Sequence, residues 1–243
     1  MIVRSPAAFA AAVDEHELGG VAFDFVALER AAATVAETGL LLVGEPHGTR
    51  EAPNAVYALA CVLGTRALAL EWSHQEWDAP VRAFLREGTF DFEQLWSLPA
   101  TAEFFSGDGR VSAGVFALLR RLRCESRLEQ VIAFDRVDPV PLPPWQARER
   151  DLAARLLSEW DRRLPLLVLT GAFHARLDEA AGETMAVLLA RELPALQPAM
   201  LDFAGGRCWF RGEAHDVSGR PPAAPIVLRI PEATPAIVPG RGD

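Results

Sequence analysis

Leu40-Leu41-Leu42-Val43-Gly44-Glu45-Pro46-His47-Gly48-Thr49-Arg50-Glu51 is the stretch that decides the fold. An apolar run stops at a glycine, an acid and an imidazole follow, and a helical pattern begins. A short continuous apolar run bounded by glycine reads as a strand buried on both faces, the kind found in parallel sheets. Beyond it Val56, Leu59, Ala60 and Leu63 recur at helical spacing, with Gly64 as the stop. Thr49 or Glu51 can cap the start of that helix, and Pro53 is tolerated in its first turn. Glu45 and His47 therefore stand on a strand-to-helix loop, where open α/β sheets place their ligands.

The same pattern returns three times. Ala67-Leu68-Ala69-Leu70 ends at Glu71-Trp72-Ser73-His74, Val131-Ile132-Ala133-Phe134 ends at Asp135-Arg136, and Leu166-Leu167-Val168-Leu169 ends at Thr170-Gly171-Ala172-Phe173-His174. Helical segments are predicted between them, at about 75–86 with Gly88 as the stop, from Ser112 onward, from Pro144 to about Arg163, and around Met185, Leu188, Leu189 and Leu193. The fold class that follows is α/β, a central, mainly parallel β-sheet flanked by helices, with the site at the carboxyl ends of the strands. Residues 1–39 read as a helical segment in two pieces separated near Gly19-Gly20. Residues 40–230 read as the α/β domain, and 231–243 as a Pro-rich tail ordered only in part. Residues 91–110 suggest short helices forming a lid or flank, with Ser106-Gly107-Asp108-Gly109 as a plain loop. Asp138 through Pro144 reads as a stiff proline-rich connector. The segments 200–203 and 208–210, flanking Gly205-Gly206, look like a hairpin, and Ile226 through Ile230 like a last strand.

Composition narrows the chemistry. At 243 residues the chain can bury a sizeable core, and its net charge of −9 argues against nucleic acid or an anionic membrane as partner. All 24 basic residues are Arg, which excludes a Schiff-base lysine, a Walker lysine and a Ser-Lys dyad. The three cysteines, Cys61, Cys124 and Cys208, are far apart and form no CxxC pair, so neither a thiolate zinc site nor a disulfide framework is suggested. No apolar amino-terminal region and no run of about 20 apolar residues occurs, and a soluble, cytoplasmic protein is expected. GxSxG, HExxH and GxGxxG are all absent from the sequence, which argues against a serine hydrolase, a zincin and a Rossmann dehydrogenase.

In a parallel sheet with helical crossovers the strand ends share one edge, so Glu45, His47, Glu71, Asp135 and His174 should converge. Asp135 can equally pair with Arg136 to hold loops together. His16 and His215 read as surface residues, His74 as the start of its helix, and Arg148-Glu149-Arg150-Asp151 as a solvated helix face. Two chemistries suit the convergent groups. His47 can act as general base on a water, with Arg50, His174 or helix amides stabilising an oxyanion. Alternatively, His and Glu/Asp ligands can hold a divalent ion that acidifies water.

Gly44-Glu45-Pro46-His47-Gly48-Thr49-Arg50-Glu51 resembles the GE-x-HGT-x-E signature of erythromycin-esterase-like proteins. More broadly it is similar to their superfamily, which includes the ChaN-type haem-binding-uptake proteins and the Tiki and TraB metallopeptidase-like proteins. The run from Leu68 to Glu71 resembles the family's second strand with its acidic end. Val131 through Asp135 resembles its strand-then-Asp segment, and Leu167 through Ala175 its later strand ending in G-x-x-HA. The resemblance spans roughly residues 38–210. It implies Glu45, His47, Glu71 and His174 as site residues; Arg50, His74, Asp135 and Arg136 are read from the sequence as the groups around them on the substrate side. His47 would be the base of an esterase, or one of four ligands to a divalent metal (Mn, Fe, Co or Zn) in a Tiki-like peptidase. Haem binding belongs to the ChaN branch, but the single Tyr57 lies within the apolar span of the first helix and makes a poor tyrosinate ligand. The chain lacks room for the macrolide esterases' helical insertions, so a large macrolactone is not the expected substrate. A hydrolase of an ester or amide in a small natural product or peptide is the expectation, with a metal-dependent peptidase and a non-catalytic haem- or ligand-binding module as alternatives.

Overall fold

The computed structural model describes residues 1–136, 144–178, 182–217 and 224–241. Its centre is a six-stranded, wholly parallel sheet of β2 (Leu40–Glu45), β3 (Ala67–Ser73), β4 (Gln130–Asp135), β5 (Leu166–Gly171), β6 (Ala199–Phe203) and β9 (Ile226–Ile230), in the order β4-β3-β5-β2-β6-β9. All four apolar runs are strands of this sheet, and its α/β class is as the sequence predicts. The chain crosses from β2 past one strand position to β3, continues outward to β4, and returns to insert β5 between β2 and β3. That insertion places Thr170 and Gly171 beside both acidic strand ends, with Gly171 in register with Glu45.

The unbroken apolar runs have a two-sided cause. Leu41, Val43, Leu68, Leu70, Leu167 and Leu169 face one core, while Leu40, Leu42, Ala67, Ala69, Leu166 and Val168 face the other. Successive side chains of a strand alternate in direction, so both sets must be apolar when helices cover both faces. The first face is covered mainly by α1 (Pro6–Asp14), α2 (Phe25–Thr38), α3 (Glu51–Leu63), α4 (His74–Glu87) and α6 (Ala113–Cys124). The second is covered by α7 (Trp145–Glu159) and α8 (Met185–Glu192). Leu42 is completely buried, and truncating such a residue to Ala costs about 2–5 kcal/mol.

Between α4 and α6 the short helix α5 (Phe92–Trp96) and a 3₁₀ turn (Glu103–Phe105) pack aromatic rings against Phe9 and Phe116. They form a flank, as residues 91–110 suggest. Gly39, Gly64 and Gly88 end α2, α3 and α4 in the left-handed conformation, which costs glycine little.

Several expectations need correcting. Met200 and Leu201 are buried in β6 and pair with β2 and β9, so 200–203 is a central-sheet strand and no hairpin partner of 208–210. The hairpin instead joins β7 (Arg207–Phe210) to β8 (Glu213–Asp216). Its two turn residues, Arg211 and Gly212, both have positive φ, 49° and 89°, as a tight two-residue turn requires. The seventh helix stops at Glu159, short of Arg163, because Trp160 leaves helical geometry and turns its indole N–H to the Leu164 carbonyl. His16 is buried, not solvated, with Nε2 2.9 Å from Asn54 Oδ1. The tail packs back on the body as far as it is described: Ala233, Ala236 and Val238 are buried, and β10 (Val238–Pro239) pairs with β1 (Ile2–Val3). The connector read from Asp138 through Pro143 lies outside the described residues.

Candidate active site

The loop after β2 is held by backbone. The Gly48 carbonyl accepts N–H bonds from Trp209 and Ala236, both at 2.8 Å, and Arg50 N donates to Thr234 O at 2.9 Å. Gly48 has φ +83°, and a Cβ there would stand 1.7 Å from the Trp209 carbonyl oxygen, so only glycine permits this approach. The fixed loop sets His47 over the end of β5. Its Nδ1 lies 3.2 Å from Glu45 Oε1 and its Nε2 lies 3.7 Å from Glu71 Oε2. Gly171 makes the position possible, since a Cβ on it would come within 2.8 Å of Nε2. Thr49 caps α3 by accepting from Ala52 N at 3.3 Å.

Glu71 is the hub. One oxygen accepts from Thr170 Oγ1 (2.8 Å) and Gly171 N (2.7 Å), and the other faces Arg110 Nη1 (3.2 Å), His174 Nε2 (3.4 Å) and Arg148 Nη2 (3.5 Å). Asp135 is held by Arg148 at 2.6 Å and Arg110 at 2.9 Å. It does not pair with the Arg136 guanidinium, which reaches Asp151 at 2.6 Å. His174 is clamped, with Nδ1 2.7 Å from Glu149 Oε1 and its ring stacked on Trp145 at 5.3 Å. Glu45, His47, Glu71, Asp135 and His174 thus come together, as the shared sheet edge demands.

The other predicted neighbours sit differently. Arg50 lines a separate depression with His16, Asn54 and Thr234. His74 opens α4, half-buried, and none of the cluster's hydrogen bonds or ion pairs involves it. Tyr57 donates to Glu125 at 2.9 Å, beyond the end of α6, and takes no part in the cluster. His215 is exposed.

Five members escape a reading of strand ends alone: Glu103, Asp108, Arg110, Arg148 and Glu149. The supposed plain loop at 106–109 delivers Asp108, whose carboxylate grips Arg110 at 2.7 and 2.8 Å. The supposed solvated face of α7 is a buried one, with Glu149 at 0% exposure and Arg148 largely covered. A signal for Glu149 exists. It lies at i−3, i−4 and i−7 from Leu152, Ala153 and Leu156, so the apolar stripe of the helix runs straight through it. For Arg110 and Glu103 the local sequence offers none, because one stands on irregular backbone and the other at the start of a single 3₁₀ turn, too short to show a periodic pattern.

Electrostatically the cluster is a balance. Burial works against the charge on Glu71, but the His174 and His47 imidazoles and Arg110 outweigh it and hold its carboxyl well below the usual range. Burial also disfavours charge on both histidines, yet neighbouring carboxylates prevail. Glu71, with Glu45, raises His47, and Glu71, with Glu149, raises His174 to about 9. Glu45 is pushed upward by burial, and Glu103 likewise to about 7. Six carboxyls (Glu45, Glu71, Glu103, Asp108, Asp135, Glu149) meet two guanidiniums and two imidazoles.

The donor set does not fit a divalent ion. Glu71 is committed to Thr170, Gly171 and Arg110, Asp135 to two guanidiniums, and Arg110 and Arg148 already place positive charge against both carboxylates. Among the described residues no group of three His, Cys, Asp or Glu is arranged to hold a metal ion. Beside the cluster a cleft of about 200 Å³ opens, bounded by Ser73, Glu103, Arg110, Asp135, Arg136 and Arg148.

No protein-family model matches the chain, and no curated protein matches it in sequence. Solved structures do. A chain described as bacterial protein toxins aligns with TM-score 0.50 and 14% identity over 81% of this chain and 39% of its own length. RRSP, a MARTX toxin effector domain from Vibrio vulnificus CMCP6, aligns with TM-score 0.50 and 14% identity over 72% of this chain and 35% of that one. A succinoglycan biosynthesis protein aligns with TM-score 0.56 and 10% identity over 88% and 81% respectively. The likeness is one of fold. The chain spans well under half of the two toxin chains. No helix among the described residues is long and apolar enough to cross a membrane.

Proposed function

We infer that this protein is a hydrolase that cleaves an ester or amide bond in a small natural product or peptide, acting in the cytoplasm. The observation that carries the reading is His47, held between two carboxyls on a backbone-fixed loop. Glu45 engages Nδ1 at 3.2 Å, which leaves Nε2 as the proton acceptor. Nε2 and Glu71 Oε2 are 3.7 Å apart, too far to hydrogen-bond. Nε2 is therefore free to take a proton from a water, whose oxygen gains nucleophilic character as it does so. His174, raised to about 9, is cationic at neutral pH. With Arg148 it supplies fixed positive charge for the oxyanion that forms at the attacked carbonyl.

The resemblance of the Gly44–Glu51 run to the erythromycin-esterase-like signature agrees with His47 in this role. The acidic charge balance of the chain agrees with a small-molecule or peptide substrate rather than nucleic acid. The test is a panel of 4-nitrophenyl esters and anilides with wild type, Glu45→Gln and His47→Ala. Turnover lost by about 100-fold or more in both variants, with circular dichroism unchanged, supports the reading. Normal turnover in both would remove it.

A further inference from the structure

One buried acid beside the cleft has no task in the His47 chemistry. Glu103 opens the 3₁₀ turn and its side chain is only 9% exposed. Its backbone N–H donates to Glu76 Oε2 at 2.7 Å, and its own Oε2 accepts the Ser73 N–H at 2.7 Å. Phe104, fully buried in the aromatic flank, anchors the turn from behind. The other oxygen, Oε1, lies 3.6 Å from Arg110 Nη2, and the residue borders the cleft with Asp135 and Arg148.

We propose that Glu103 is the proton donor to the departing oxygen or nitrogen in the hydrolysis assigned to His47. The proposal rests on that reading and adds its missing acid. Because Oε2 receives the Ser73 N–H, the carboxyl proton belongs on Oε1. Arg110 Nη2 beside it is a donor and cannot accept that proton, so the cleft is where it goes. Arg110 ties the two halves of the site together, touching Glu71 next to His47 at 3.2 Å and Glu103 at 3.6 Å. The charged groups facing Glu103 are Arg110 and Asp108 from the loop before α6, Asp135 from β4, Arg148 from α7 and Glu76 from α4. Burial and the two aspartates outweigh Arg110 and push its carboxyl to about 7, which keeps a useful fraction protonated at neutral pH.

The step balances. Water's oxygen bonds to the acyl carbon while His47 Nε2 takes one water proton. The carbon–oxygen or carbon–nitrogen bond breaks with its electron pair on the leaving atom, and Glu103 Oε1 gives that atom a proton. Solvent then reprotonates Glu103 and receives the proton from His47.

The experiment compares two esters of one acid on the full chain, a 4-nitrophenyl ester whose leaving group needs no proton and an alkyl ester whose leaving group does. Glu103→Gln keeps the acceptor for Ser73 N–H and lacks only the proton. It should lose roughly 100-fold or more on the alkyl ester and no more than about threefold on the nitrophenyl ester. The limb of the pH–rate profile that falls with rising pH should vanish with it, because a donor must be protonated to act. Equal losses on both esters, or a falling limb that persists, overturn the proposal. If Glu103→Gln does not fold, wild type answers instead. Sensitivity to leaving-group basicity should be steeper at pH 9 than at pH 6, and equal sensitivity overturns the proposal. Turnover retained in His47→Ala would overturn the underlying reading and not the placement of Glu103.

Discussion

Glu149 lies 2.7 Å from His174 Nδ1 with one carboxylate oxygen and accepts the Met185 N–H at 2.7 Å with the other. A side chain with no exposed surface thus joins α7, the loop after β5 and the first turn of α8. Glu149→Gln removes the charge that faces the imidazole. The His174 pKa is expected to fall from about 9 toward 6.5, and stability to drop by about 1–3 kcal/mol. An imidazole titration by NMR that does not move would show that Glu149 does not set the charge of His174.

The same pair dictates a pH dependence. A histidine whose folded pKa is raised contributes stability that is complete below its unfolded value, about 6.5. That contribution is lost as pH rises through about 9. The urea midpoint of the wild type should therefore decline between pH 6.5 and 9, and in Glu149→Gln the decline should begin at lower pH. A wild-type midpoint level across this window would contradict the assignment.

Glu71 behaves in the opposite sense. Its folded pKa is held well below the ordinary value by His174, His47 and Arg110 against the burial that raises it. Its contribution is complete above about 4.3 and is lost as pH falls through the lower folded value. Glu71→Gln leaves Arg110, Arg148 and His174 short of a buried counter-charge, with an expected cost of about 3–5 kcal/mol. Denaturant unfolding at pH 7 measures it, and a cost below about 1 kcal/mol would mean that the hub is solvated in solution.

Gly171→Ala separates positioning from folding. The new Cβ would stand 2.8 Å from His47 Nε2 and 3.5 Å from Glu71 Oε2, so the imidazole has to swing out of line. Hydrolysis is expected to fall by about 100-fold, since a displacement near 1 Å at a reacting group has that scale. Stability should change by no more than about 1–3 kcal/mol. Unimpaired turnover would mean that the resting position of His47 is not the working one.

Gly48→Ala tests the backbone lock on the same loop. A Cβ 1.7 Å from the Trp209 oxygen, on a residue at φ +83°, must push the loop away from the β7 strand. A loss of about 1–3 kcal/mol is expected from the left-handed backbone alone, together with reduced turnover. A variant as stable as wild type would show that the contact is not maintained.

Glu45, His47, Glu71, Asp135 and His174 were legible in the sequence because each follows a solid apolar run, and the ends of parallel strands must share an edge. The runs themselves were legible because helices cover both faces of the sheet, leaving no polar alternation to confuse them. The 200–203 segment misled for a related reason. A short apolar strand beside Gly205-Gly206 fits a local hairpin as well as a central sheet, and only its pairing with β2 and β9 distinguishes them. Arg148 and Glu149 were hidden by their own charges, which read as solvent-facing although they lie on the buried side of α7.

The sequence by itself determined the α/β class, the four buried strands and the acid or imidazole released at each carboxyl end, because periodicity and strand-end chemistry are local properties. Tertiary structure alone decided the partners. The insertion of β5 between β2 and β3 brings Gly171 against both Glu45 and Glu71. The irregular segment before α6 carries Glu103, Asp108 and Arg110 into the cluster, and α7 turns Arg148 and Glu149 inward. A charge tolerates burial only where opposite charges and hydrogen-bond donors surround it. Those neighbours come from chain segments as far apart as Glu71 and Gly171, 100 residues, and farther, a distance over which no local pattern operates.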